Sequence, residues 1–143
     1  MPTLTIACTG LSAPRRRAAA LGITRWLTRH GVDGSHVVVR FEPVDEERVF
    51  VGGWPVAALP PRPEDGVPHH VSVVCHVSPD RDGEFRAGLA AAVAGALGVT
   101  DRTAFFYLEF RPASPADVYL AAAGPLHRSD RPAGAPASEG PTP

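Results

Sequence analysis

Met1-Pro2-Thr3-Leu4-Thr5-Ile6-Ala7-Cys8 opens the chain, and a second apolar run, Val71-Ser72-Val73-Val74-Cys75-His76-Val77, answers it in the other half. From Thr3 to Thr9 the residues alternate and are rich in β-formers, so this stretch and 71–77 both read as strands. A helical pattern follows each one. In the first half Ser12 is a good N-cap and Pro14 is tolerated in the first turn. Ala19, Ala20, Ile23, Trp26 and Leu27 then fall at helical spacing up to a stop at Gly31. In the second half Ser78-Pro79-Asp80-Arg81-Asp82 supplies turn and capping residues, and Phe85, Leu89, Val93 and Leu97 form a stripe that stops at Gly98. Each helix leads to another strand, His36 to Phe41 and Thr103 to Phe110.

Sliding the chain so that Cys8 falls on Cys75 also puts Ala20 on Ala87, Gly31 on Gly98, Val32 on Val99 and Glu42 on Glu109. The identities are few, but they coincide with element boundaries, which points to a duplicated β-α-β unit. A helix between two strands of one sheet gives a parallel pair with the helix on one face. Two such units joined edge to edge predict an α/β (α+β) fold: a four-stranded mixed sheet with both helices on one face. The other face, expected to be bare and largely apolar, calls for a cover, which symmetric self-association supplies.

The expected organisation is a single domain over 1–127. It comprises β-α-β 2–53, a connector 54–68 carrying five prolines and β-α-β 69–120; a tail at 128–143, rich in Pro, Gly and Ala, is expected to be disordered. A formal net charge of −1 and a pI of about 6.6 argue against nucleic-acid and anionic-membrane partners. No apolar run approaches the roughly 20 residues that span a bilayer, and no signal-peptide pattern opens the chain, so a cytoplasmic protein is expected. Cys8 and Cys75 lie in strand-like runs and read as buried reduced thiols, with no C-x-x-C metal signature. Lys, Asn and Gln are missing, a bias of the kind a GC-rich bacterial genome produces. Without lysine, amine chemistry has only the N-terminus to use. Removal of Met1 before a small residue would expose a secondary amine on Pro2 at the head of the first strand.

Pro2 heading a strand, the doubled β-α-β plan and the Val49-Phe50-Val51-Gly52-Gly53 hairpin together resemble the tautomerase superfamily, whose members use an N-terminal proline. The resemblance covers roughly residues 2–120. The hairpin looks like the aromatic-x-x-Gly-Gly element of 4-oxalocrotonate tautomerase (4-OT) and its relatives. The fused halves look most like the cis-3-chloroacrylic acid dehalogenase or macrophage migration inhibitory factor groups. Thr9-Gly10-Leu11-Ser12, with Phe106-Tyr107 before Arg111-Pro112, favours the former. The resemblance implies a homotrimer with sites at subunit boundaries, a small-molecule acid substrate and proton transfer next to a carbonyl, with Pro2 as general base and neither cofactor nor metal.

Aligned backward from Leu89, Arg81 falls on the family's carboxylate-binding arginine; the alternative is a solvated charge paired with Asp80 or Asp82. Tyr107 resembles the tyrosine that a neighbouring subunit contributes, a match that slips by one when aligned from Asp101-Arg102, so a core or interface tyrosine is the alternative. Arg40 faces either the site or the trimer seam, and one residue of register decides which. Phe50 and Trp54 read as site wall or interface packing. The Arg15-Arg16-Arg17 run reads as a solvated face, and His36 and His76 as capping or partly buried residues. His69-His70 lacks a third metal ligand at sensible spacing.

Three departures stand out. Leu27, Ser78 and Val118 occupy positions where the dehalogenase group carries a histidine, a second arginine and a glutamate; His30 and Asp117 are the nearest substitutes. The expected activity is therefore a tautomerase or isomerase. The alternatives are a non-catalytic trimeric binding or scaffold protein, or a hydratase or dehalogenase-type lyase with altered residues.

Overall fold

The computed structural model describes residues 2–134. Strand β1 spans Thr3–Cys8, helix α1 Ala13–Arg29 and strand β2 Val38–Glu42; a short hairpin joins β3 (Phe50–Val51) to β4 (Trp54–Pro55). The second unit runs β5 (His70–Val77), α2 (Gly83–Leu97) and β6 (Phe105–Pro112), followed by the two-residue strands β7 (Tyr119–Leu120) and β8 (His127–Arg128). The main sheet has the order β2-β1-β5-β6. Its outer pairs are parallel and its central pair antiparallel, so the mixed sheet of two β-α-β units is the observed architecture.

Register makes the duplication concrete. Thr3 pairs with Val38 in the first unit, and their equivalents His70 and Phe105 pair in the second. Across the antiparallel seam Ile6 pairs with Val73, its own equivalent, so a local two-fold relates the units there.

Both helices are built as their sequences dictate. The Ser12 hydroxyl accepts from Arg15 N at α1, and the Asp82 carboxylate accepts from Phe85 N at α2. Gly31 and Gly98 take positive φ just past the helices. Ala19, Ile23 and Leu27 of α1 meet Leu89, Val93 and Leu97 of α2 over Leu4, Ile6, Val71, Val73, Cys75 and Val77, a single buried cluster. In the β3–β4 hairpin Gly52 (φ 57°) and Gly53 (φ 85°) occupy consecutive positive-φ positions, the conformation a tight two-residue hairpin turn requires.

The uncovered sheet face departs from the largely apolar one expected. Its rows carry Thr3 and Thr5 on β1, Ser72, Val74 and His76 on β5, Val38, Arg40 and Glu42 on β2, and Phe105, Tyr107, Glu109 and Arg111 on β6. Strand alternation sends most of the large apolar residues toward the helices and leaves a mixed polar face. Along β6 the Tyr107 hydroxyl donates to Glu109 Oε2 at 2.8 Å, and Arg111 pairs with the same carboxylate. The Glu109 carboxyl is held below its usual range, first by the Tyr107 hydrogen bond and then by Arg111, while the Tyr107 hydroxyl is pushed up by Glu109.

The connector is tied down. Val56 is fully buried, Glu64 pairs with Arg102 at 2.8 Å, and Arg15 donates to the Gly66 carbonyl. Beyond β6, Arg128 pairs with Tyr119 across β7–β8 and with Asp130 through two hydrogen bonds; residues 135–143, most of the Pro/Gly/Ala segment, lie outside the described residues. Among the described residues no helix is long and apolar enough to cross a membrane.

Candidate active site

Pro2 is buried at the start of β1, and its carbonyl accepts from Val38 N at 3.2 Å, which ties it to the β2 end of the first unit. Arg81 comes from the second unit. Its own N–H donates to the Ser78 carbonyl at 3.2 Å in the turn before α2, and the Asp82 cap follows directly. The guanidinium lies over the Phe85 ring, 4.5 Å from its centroid, and donates a long 3.4 Å hydrogen bond to the His30 carbonyl. Cation-over-ring packing holds the planar group in place while leaving donors unused.

Pro2 and Arg81 line one cavity of about 150 Å³, with Asp33, His36, Ser78 and Phe85 among its other walls. The site thus draws on both units across the central seam. The Asp33 carboxyl is held below its usual range, chiefly by the Ser35 hydroxyl and backbone N–H, so it stays ionised at neutral pH. The Asp80 carboxyl is lowered too, first by the Ser78 hydroxyl and with a contribution from Arg81. Among the described residues no ion pair joins Arg81 to Asp80 or Asp82.

A wider open groove adjoins the cavity on the other side of Arg81, lined also by Trp26, His30 and Glu84. His30 stacks on Trp26 with ring centroids 3.7 Å apart, and its Nδ1 lies 2.7 Å from the Trp26 carbonyl. His30 therefore lies in this groove and is not among the residues lining the Pro2 cavity. Leu27 is fully buried in the core, Ser78 lines the cavity, and Asp117 ends an exposed turn after β6.

The other sequence candidates stand apart from the cavity within one protomer. Arg40 is exposed on the uncovered face, directly opposite Thr5 in the register. Phe50 is 60% exposed on the β3–β4 hairpin, and Tyr107 is 45% exposed on edge strand β6. His36, read from the sequence as a capping or partly buried residue, ends the Asp33-capped turn after α1 and lines the Pro2 cavity. Burial pushes the Cys8 thiol up to about 11 and the Cys75 thiol up to about 12, so neither is a ready nucleophile. No group of three metal-ligating side chains is assembled among the described residues.

No family model matches the chain, and no curated protein does. Solved structures do match in fold. The native fused 4-OT superposes with a TM-score of 0.64 at 19% identity, covering 84% of this chain and 93% of that one. A member of the cis-3-chloroacrylic acid dehalogenase family gives 0.64 at 16% identity, with 84% and 80% covered. A fused 4-OT that forms a symmetric trimer gives 0.61 at 19% identity, with 86% and 99% covered. At these identities the likeness is one of fold.

Proposed function

We propose that the chain is a proline-based tautomerase or isomerase that shifts a proton on a small carbonyl or unsaturated carboxylic acid. The observation that carries this reading is the single cavity shared by Pro2 and Arg81. With Met1 removed, Pro2 presents a secondary amine; the ordinary α-amine value is about 7.7–8.0. Burial and a neighbouring cation both disfavour the charged form, which suits the amine to act as a base. Arg81 takes the substrate carboxylate in a two-pronged grip, at a helix start that itself favours an anion.

The site is completed in a homotrimer, with Tyr107, Arg40 and Phe50 supplied at subunit boundaries. The exposure of all three in the protomer and the trimeric state of the fused 4-OT structure support this part of the reading. A water-adding lyase is disfavoured, because Leu27 is in the core and Ser78 replaces a second arginine. The test is enolisation of phenylpyruvate or a 2-hydroxydienoate. Wild type is active and Pro2→Ala loses about a hundredfold or more; a wild type inactive on a broad panel, activity that survives the change, or an intact mass that retains Met1 defeats the proposal.

A further inference from the structure

The His36 imidazole lines the same cavity as Pro2. His36 ends the short 3-10 turn Gly34–His36, which is held by Asp33: Oδ1 accepts from Ser35 N at 2.9 Å and from Ser35 Oγ at 2.7 Å, and the Asp33 carbonyl accepts from His36 N at 3.0 Å. Two residues on, Val38 N donates to the Pro2 carbonyl, so the turn and the proline are linked by one backbone hydrogen bond. The His36 ring is partly buried in the cavity wall. Asp33 from its own turn, Arg81 from the loop before α2 and His127 from β8, its ring centroid 6.5 Å away, are the titratable and charged groups around it.

A base that takes a proton from carbon drives negative charge onto the carbonyl oxygen, and an acid must meet that charge. Three of the polar side chains in the cavity cannot supply the proton. Arg81 does not give up its own. Asp33 has none at neutrality, because Ser35 holds its carboxyl below the usual range. The Ser78 hydroxyl acts on the Asp80 carboxyl, which it holds below its usual range. His36 remains, and imidazole is the side chain that trades protons near neutral pH.

We infer that His36 is the acid that completes the Pro2 site, protonating the carbonyl oxygen of a short 2-oxo acid whose carboxylate rests on Arg81. The Pro2 amine takes the proton from the carbon next to the carbonyl, and that C–H electron pair becomes the C=C bond of the enol. The carbonyl π pair moves to oxygen and receives the His36 N–H proton. Pro2 ends protonated and His36 neutral, and reversal returns both protons. A short acid fits because a cavity of about 150 Å³ is benzene-sized. The step rests on the Pro2 reading above.

The probe is 2-oxobutanoate in D2O, followed by exchange of its C3 protons. His36→Gln keeps a hydrogen-bonding side chain without a proton to pass, and lowers kcat for exchange about a hundredfold with KM moving less than about threefold. In His36→Ala, added imidazole restores at least about tenfold and does so saturably, a response a merely structural role would not give. In wild type, independently of how the variants fold, saturation with 2-oxobutanoate shifts the His36 ring Cε1–H resonance. An unchanged kcat in His36→Gln, no imidazole rescue, or a resonance that ignores the probe overturns the role of His36. The Pro2 reading then survives, because wild type still outpaces Pro2→Ala. A wild type no faster than Pro2→Ala overturns the Pro2 reading and the His36 step with it.

Discussion

The two β-α-β units share one frame and differ most where each first strand begins. Pro2 heads β1 beside an open cavity. Its equivalent in the second unit, His69, is 2% exposed with both ring nitrogens unpartnered. The backbone around His69 is closed: His69 N and His70 N both donate to Thr9 Oγ1, and Ala104 N and Phe105 N both donate to the His69 carbonyl. The Arg81 position is filled in the first unit by Pro14, inside the first turn of α1. A strand start presents a reactive group only where the facing turn leaves space and brings a charge, so the fold is doubled and the site is not.

The largest expected contrast is between those two positions. Arg81→Ala removes the carboxylate grip and lowers kcat/KM about a hundredfold, on the order of 3 kcal/mol; Pro14→Ala leaves it within about twofold. Steady-state kinetics on an active 2-oxo acid decides, and equal losses would break the asymmetry.

A smaller contrast concerns packing. A Cβ at Gly88 would meet Trp26 Cζ2 at 2.7 Å, so this glycine lets α2 approach the indole that His30 stacks on. Gly88→Ala is expected to cost about 1–3 kcal/mol in urea unfolding. Leu21, its equivalent, is 51% exposed, and Leu21→Ala should cost less than about 0.5 kcal/mol. Similar losses at both positions would mean that the helix pair packs symmetrically.

The smallest effect is a pH dependence confined to the second unit. Burial, and then the neighbouring His69, lower the His70 pKa, with Glu46 opposing. The unfolded chain then binds the proton more readily than the folded one. Stability is full above the ordinary histidine value of about 6.5 and falls as pH drops below it, toward the lowered folded value. Melting curves at descending pH should show this loss. His70→Thr, the residue β1 carries at the equivalent place, should flatten it; an unchanged slope would assign it elsewhere.

Much of the frame was legible in the sequence. Alternation marked β1 and β5, Ser12 and Asp82 marked helix starts, and the Cys8–Cys75 correspondence carried the duplication into the register. Arg81 came from the family resemblance, aligned back from Leu89, and not from composition or spacing; the structure places it on the wall of the Pro2 cavity. The character of the open face was not, since composition does not say which strand row faces out: Tyr107, Glu109 and Arg111 share one, and Phe106, Leu108 and Phe110 the other. Arg40 waited on register for the same reason. His36 was obscure because its place depends on a short turn closing onto Pro2 through Val38, a contact between segments far apart in the chain.

The most direct test of a single site joining Pro2 to Arg81 is covalent trapping with an electrophilic acetylenic 2-oxo acid, read by peptide mass spectrometry. One adduct per chain on the Pro2 nitrogen is predicted, formed at least about tenfold more slowly in Arg81→Ala. A retained Met1, an adduct on Cys8 or Cys75 instead, or a labelling rate indifferent to Arg81 would contradict it.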